Sequence, residues 1–275
     1  MKFNFAFVVL LLILISSCSK KESITVSGSS TVLPVVALAA EKFTNNSGIK
    51  VVINGGGSGV GINQLGEGKI DMGMSSRDIT GDEVNSYPDV NFITNSIAKD
   101  AVIPVVSTQI YEEGVQVLSL DQIGQIYKGE ITNWNEIGGP DREILVVDKE
   151  ASRGTRHVFM EAVFGNKNAK APGADIVLGS NNEEQTAIAQ SNAAIGMLSL
   201  AWLNDKVRGL SIAIENGKTI KPIRENVVNG TFPVVRDLIL VTNGEPAGKT
   251  KEFIDYILSE EGQSIVEEAG YVRVK

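Results

Sequence analysis

Three times this chain runs a short apolar segment into a knot of small hydroxyl residues and glycine, and then into helical periodicity. The knots are Ser27-Gly28-Ser29-Ser30-Thr31, Asn54-Gly55-Gly56-Gly57-Ser58-Gly59 and Ala151-Ser152-Arg153-Gly154-Thr155. Strands alternating with helices require crossover connections and a sheet with parallel pairs, so the chain reads as an α/β fold. In such sheets ligands gather at the carboxyl ends of the strands, where all three knots fall. A helix N-terminus presents unpaired N–H groups and about half a positive charge. Three of them, dressed with hydroxyls, suggest a single oxyanion held by several helix ends.

The elements around the knots follow from periodicity. Ile24-Thr25-Val26, Val51-Val52-Ile53 and Ile70 to Met74 read as strands. Pro34 suits a first helical turn, and Val35, Val36, Ala39 and Phe43 give that helix an apolar stripe. Phe92-Ile93 and Ala101 to Val106 are strand-like, with Pro104 arguing for an edge or crossover position. Leu120 to Ile126 reads as a helix, Ile144 to Val147 as a strand, and Val234 to Val241 as another. Two helices close the chain, marked by Phe253, Ile254, Ile257, Ile265 and Val266.

At the start, Lys2 precedes an apolar run from Phe5 to Ile15, about half the length needed to span a bilayer. Ile15-Ser16-Ser17-Cys18 follows and resembles a bacterial lipobox, so residues 1–17 are expected to be a signal peptide. Cys18, the only cysteine, would then carry lipid, residues 18–23 would form a tether, and the anchor would hold the domain at a bacterial membrane. A secretory signal with an incidental cysteine is the plainer alternative.

Composition excludes several classes. One cysteine and one histidine, His157, leave no ligand set for a structural zinc site, and no cofactor motif is present. With 25 basic against 33 acidic residues the formal charge is −8, a poor nucleic-acid binder. The Gly55 to Gly61 run lacks the Gly-Lys-Ser/Thr ending of a phosphate loop, and its glycines cluster too tightly for a dinucleotide fingerprint. A serine hydrolase using Ser58 or Ser152 would depend on His157 and lacks a proper nucleophile elbow, so an enzyme is not expected. Trp134 and Trp202 read as domain-surface packing rather than ligand stacking.

The third knot carries Lys149, Arg153 and Arg156 around one helix start, where the dipole disfavours cations; a bound anion would explain them. Ser75-Ser76-Arg77 closes the third strand on the same sheet edge.

Taken in order, Gly28-Ser29-Ser30-Thr31-Val32-Leu33-Pro34, the glycine knot, Ile70 to Arg77, Gly129-Glu130-Ile131-Thr132-Asn133-Trp134, Gly154-Thr155-Arg156 and Phe253 to Gln263 carry a family resemblance. The chain resembles the substrate-binding lipoproteins of bacterial phosphate ABC importers (PstS type). The resemblance implies a two-lobed periplasmic binding protein fold of type II. Each lobe is then a mixed, mostly parallel sheet flanked by helices, with the ligand in the cleft between. It places residues 24–97 and 231–275 in one lobe and 98–230 in the other, with the chain crossing twice. It implies inorganic phosphate as ligand, a permease and ATPase as partners, and an extracytoplasmic monomer. Thr31 would donate its hydroxyl, Val32 its amide, Ser58 a hydroxyl, and Gly154 and Thr155 would donate from the opposite lobe. Two positions depart from the family pattern. Ser76 stands where an aspartate accepts the phosphate proton and repels sulfate, which keeps sulfate, molybdate or tungstate open as ligands. Lys149 stands where an arginine is usual, so Arg153 or Arg77 is expected to supply the guanidinium.

Overall fold

The computed structural model describes residues 23–274; the expected signal peptide, Cys18 and most of the expected tether lie outside the described residues. Ser23–Gly28 (β1) alternates partly buried and buried positions and feeds helix α1 (Leu33–Ser47). Pro34 sits in the first turn of α1, Val35, Val36, Ala39, Ala40 and Phe43 face inward, and Gly48 closes the helix at φ 77°. That is the N-terminal Pro, C-terminal Gly pattern of a locally specified helix. The chain continues through β2 (Lys50–Gly55), α2 (Ser58–Gly66), β3 (Met72–Ser75) and α3 (Gly81–Ser86). β1 pairs with β2 and with β3, parallel on both sides.

Next comes β4 (Phe92–Ser107), one unbroken strand of 16 residues. It is followed by α4 (Thr108–Glu112), β5 (Val117–Ser119), α5 (Leu120–Lys128), β6 (Leu145–Lys149) and α6 (Gly154–Phe164). Then come β7 (Ile176–Leu178), α7 (Asn181–Gln190), β8 (Ala194–Ser199), β9 (Val207–Gly209), β10 (Ser211–Ala213), β11 (Thr219–Ile220) and α8 (Arg224–Val228). β12 (Val235–Asn243), α9 (Gly248–Leu258) and α10 (Glu260–Glu268) end the fold. The main sheet runs β2-β1-β3-β12-β4-β8-β6-β7, with β9 also on β4, and it is mixed. Its pairings divide at β4, whose residues 92–101 pair antiparallel with β12 and residues 102–107 with β8 and β9.

Packing divides at the same place. One apolar core draws on Val26, Val36, Phe43, Met74, Ile97, Leu240 and Phe253. A second draws on Val105, Ile123, Tyr127, Phe159, Ile195 and Phe232. Each is the buried interior of one half of the molecule, and β4 and β12 run through both. A bulge between Leu238 and Ile239 sits at this junction and bends the paired strands. The C-terminal segment also meets the junction. Lys99 and Val272 exchange backbone hydrogen bonds of 2.8 and 3.0 Å, with Tyr271 in the first core and Val272 in the second. Three segments therefore meet at the junction.

Pro104 pairs with Met197 of β8 on one side and on the other lies one residue outside the β9 ladder, which begins at Val105; its carbonyl accepts Leu210 N–H there at 2.9 Å, and its missing N–H falls at the ladder's end. One local expectation is corrected. Trp134 is fully buried rather than at a surface, its indole N–H donating to the Ala193 carbonyl at 3.0 Å.

Candidate functional site

The three knots converge. The helices they open, α1, α2 and α6, have no side-chain cap, as is also true of α4, α8 and α9, whereas α3, α5, α7 and α10 are capped by Thr80, Ser119, Ser180 and Ser259. The amides of Ser58, Gly154 and Thr155 find no acceptor among the described residues. Those N–H groups are the positive ends of two helices from opposite halves, aimed at one point.

Hydroxyls surround that point, all buried. Thr31 Oγ1 lies 3.3 Å from Thr155 Oγ1 across the cleft. Ser76 N–H donates to Ser58 Oγ at 3.1 Å, and Ser29 Oγ donates to Ser76 Oγ at 3.0 Å. Tyr271 fixes the Thr31 backbone, its phenol donating to the Thr31 carbonyl at 2.7 Å. The halves are closed onto each other. Gly59 N–H donates to the Ser152 carbonyl at 3.2 Å, and a Cβ on Gly154 would strike Ser58 Oγ and come within 2.5 Å of Ser76 Oγ.

One guanidinium reaches this cluster. Arg236 on β12 stands opposite Asp100 on β4 and is held by that carboxylate at 3.0 and 2.8 Å. Ser199 Oγ donates to the same carboxylate at 2.8 Å. The remaining N–H groups of Arg236 point at Thr155 Oγ1 at 3.1 Å and Thr31 Oγ1 at 3.5 Å. Arg236 and Asp100 both sit in the strands that join the halves, so the cation addresses both sides of the cleft. Sequence reasoning missed it. The available signal was a charged pair, Arg236-Asp237, at the head of an apolar run, matched by an aspartate in another strand.

The cations expected from the sequence are placed elsewhere. Arg77 forks onto Glu83 at 2.9 and 2.7 Å. Burial pushes the Glu83 carboxyl up, but Arg77 and Thr80 outweigh it and hold the pKa below the usual value. Arg153 grips Glu150 at 2.8 and 2.6 Å, and Arg156 grips Asp148 at 3.0 Å. Lys149 is buried against the fully buried Glu184. Burial draws the lysine down and pushes the glutamate up, so wherever the proton rests the pair adds no net charge. Each of these cations is spent on its own carboxylate. Val32 N–H is also engaged, with the Ser29 carbonyl at 3.2 Å. Thr31, Ser58, Ser76, Gly154 and Thr155 are brought together.

His157, on the first turns of α6, borders a cavity of about 590 Å³ that also meets Arg77 and Lys167, beside the hydroxyl cluster. Burial, then Arg77, pushes its pKa down to about 4. It makes no hydrogen bond to Ser58 or Ser152, so no nucleophile–base pair is assembled among the described residues. No group of metal-ligating side chains is found among them either.

Two α/β halves closing hydroxyls, helix N-termini and one guanidinium around a point are the marks of a solute-binding protein. The PBP superfamily domain model matches residues 16–261. The Bacillus subtilis phosphate-binding protein PstS is 35% identical over 92% of this chain and 81% of its own length. The chain belongs to this PstS family of phosphate-binding proteins, a non-enzymatic branch of the PBP superfamily. The Borreliella burgdorferi PstS is 29% identical over 95% of both chains. Among solved structures, a phosphate ABC transporter substrate-binding protein from Clostridium perfringens with bound phosphate superposes at a TM-score of 0.82, 34% identical, covering 92% of this chain and 100% of its own. An ABC-type phosphate transport receptor from Vibrio cholerae gives 0.72 at 31% identity, covering 90% and 99%.

Proposed function

We propose that this protein captures inorganic phosphate in the cleft by closure of its two halves and delivers it to an ABC permease outside the cytoplasmic membrane. The observation that carries the reading is the cluster of Thr31, Ser58, Ser76, Gly154, Thr155 and Arg236, drawn from both halves and their junction. Neutral donors and one half-neutralised guanidinium suit reversible capture, because every partner can be exchanged without moving a proton. In this reading the ligand is itself the latch, with residues 24–97 and 231–275 on one side and 98–230 on the other. Arg77, Lys149 and Arg153 shape the cleft walls while keeping their carboxylates. The lipobox-like Ile15 to Cys18 supports a lipid tether, and among the described residues no helix is long and apolar enough to cross a membrane.

Ser76 favours a second reading of selectivity. A hydroxyl there, buried and bonded to Ser29 and Ser58, offers an acceptor without repelling a fully ionised anion, so sulfate and related tetrahedral oxyanions are competitors. Isothermal titration with phosphate, sulfate and molybdate tests both. Phosphate heat with sulfate competing only weakly is the expected result; sulfate or molybdate heat without phosphate heat would sink the phosphate reading.

A further inference from the structure

We infer that Asn181 is a positioning residue that makes the Thr31 hydroxyl a donor toward the bound anion, and that Lys149 and Glu184 exist to hold it there. The inference rests on the phosphate reading of the cleft. Asn181 opens α7 in the second half of the molecule and is 1% exposed. Its Nδ2 donates to Thr31 Oγ1, in the first half, at 2.9 Å.

A hydroxyl has one proton and two lone pairs. At Thr31 the donors Asn181 Nδ2 and Arg236 Nη2 occupy the acceptor side, at 2.9 and 3.5 Å. The Thr31 proton is thereby turned outward, toward Thr155 Oγ1 and the point where the helix ends converge. An anion needs that proton, since a hydroxyl presenting its lone pairs would repel it. Asn181 also makes its contact only when the two halves meet, so the same hydrogen bond rewards closure.

The amide is aimed from behind. Glu184, one turn along α7, is fully buried with Lys149, the last residue of β6. Its carboxylate also accepts Met197 N–H at 2.7 Å, and Lys149 reaches the Ser180 carbonyl at 3.5 Å. Gly196 clears the space, because a Cβ there would stand 2.5 Å from Glu184 Oε1. The first turn of α7 is thus bolted to the end of β6 and to the middle of β8. That gives a costly buried ion pair a structural task.

Phosphate titration of Asn181→Asp and Asn181→Ala, each melted without phosphate, tests the inference. Asn181→Ala loses one neutral hydrogen bond and is expected to weaken phosphate binding about fivefold, through a faster off-rate. Asn181→Asp inverts the group from donor to acceptor beside an anion and is expected to weaken binding on the order of a hundredfold. Its phosphate-free melting temperature should fall no further than that of Asn181→Ala, because opening the cleft parts position 181 from Thr31 and the helix dipole then offsets the added charge. A purely structural role would move stability and affinity together. Wild-type uptake of phosphate with Asn181→Asp within about twofold of it overturns this inference alone. A wild-type protein that takes up no phosphate overturns the phosphate reading, and this inference with it.

Discussion

Arg236 shows how a protein with a formal charge of −8 can hold an anion. Asp100 neutralises much of the guanidinium but also fixes its plane, leaving the outer N–H groups directed at Thr31 and Thr155. A lysine is a point donor without the planar fork, so it cannot grip Asp100 through two N–H groups and still span to hydroxyls on both halves. Arg236→Lys should therefore weaken phosphate binding at least about tenfold in titration while the protein still melts cooperatively. Arg236→Ala would strand a buried Asp100, at a cost of about 3–5 kcal/mol, and should lower the melting temperature sharply. Arg153→Ala, which removes a partner only from Glu150, should bind nearly as wild type. Equal binding by Arg236→Lys and wild type would remove Arg236 from the site. The residue was hard to see in sequence for a physical reason. Arg236-Asp237 reads as a polar break at the head of an apolar run, and only the register opposite Asp100 shows that its arginine is buried, paired and aimed.

At the scale of elements, the uncapped N-termini of α2 and α6 meet because Gly154 has no side chain. Gly154→Ala adds a methyl that would strike Ser58 Oγ on closure, yet it adds nothing unfavourable to an isolated helix start. Phosphate-free stability should hold, phosphate affinity should fall by more than about tenfold, and small-angle scattering should show no compaction on adding phosphate. Compaction equal to wild type would mean the halves close by another route. The knots themselves were legible because local chemistry writes them: a strand end, small residues, then a helical stripe. What local chemistry does not write is long-range partnership. Phe92-Ile93 and Ala101 to Val106 read as separate segments because Asn95, Ser96, Lys99 and Asp100 interrupt the apolar pattern, and they fuse into β4 only because β12 and β8 pair with its two ends. Trp134 read as surface for the same reason, its loop being polar and its burial supplied by the second core.

Over the whole molecule, the closed arrangement sets His157 of one half against Arg77 of the other, and this has a sign in pH. His157 titrates near 4 in the folded, closed protein against 6.5 in an unfolded chain, through burial first and Arg77 second. Glu83 and the Ala151 carbonyl pull the other way, and Lys167 adds to Arg77. Because the folded pKa is the lower one, the unfolded chain binds the extra proton, and stability is lost as pH falls from 6.5 toward 4. Opening the halves takes His157 away from Arg77, so acid favours the open form for the same reason as the unfolded one. Phosphate changes its own protonation over this range, so the clean comparison omits it. His157→Gln keeps a polar side chain but cannot take the proton. Its melting temperature should fall less than that of wild type between about pH 7 and about pH 5. Carboxylates that titrate in both proteins cancel in the difference. Parallel losses in the two would show that His157 carries no part of the acid sensitivity, and that the Arg77 face of the cleft closes without opposing it.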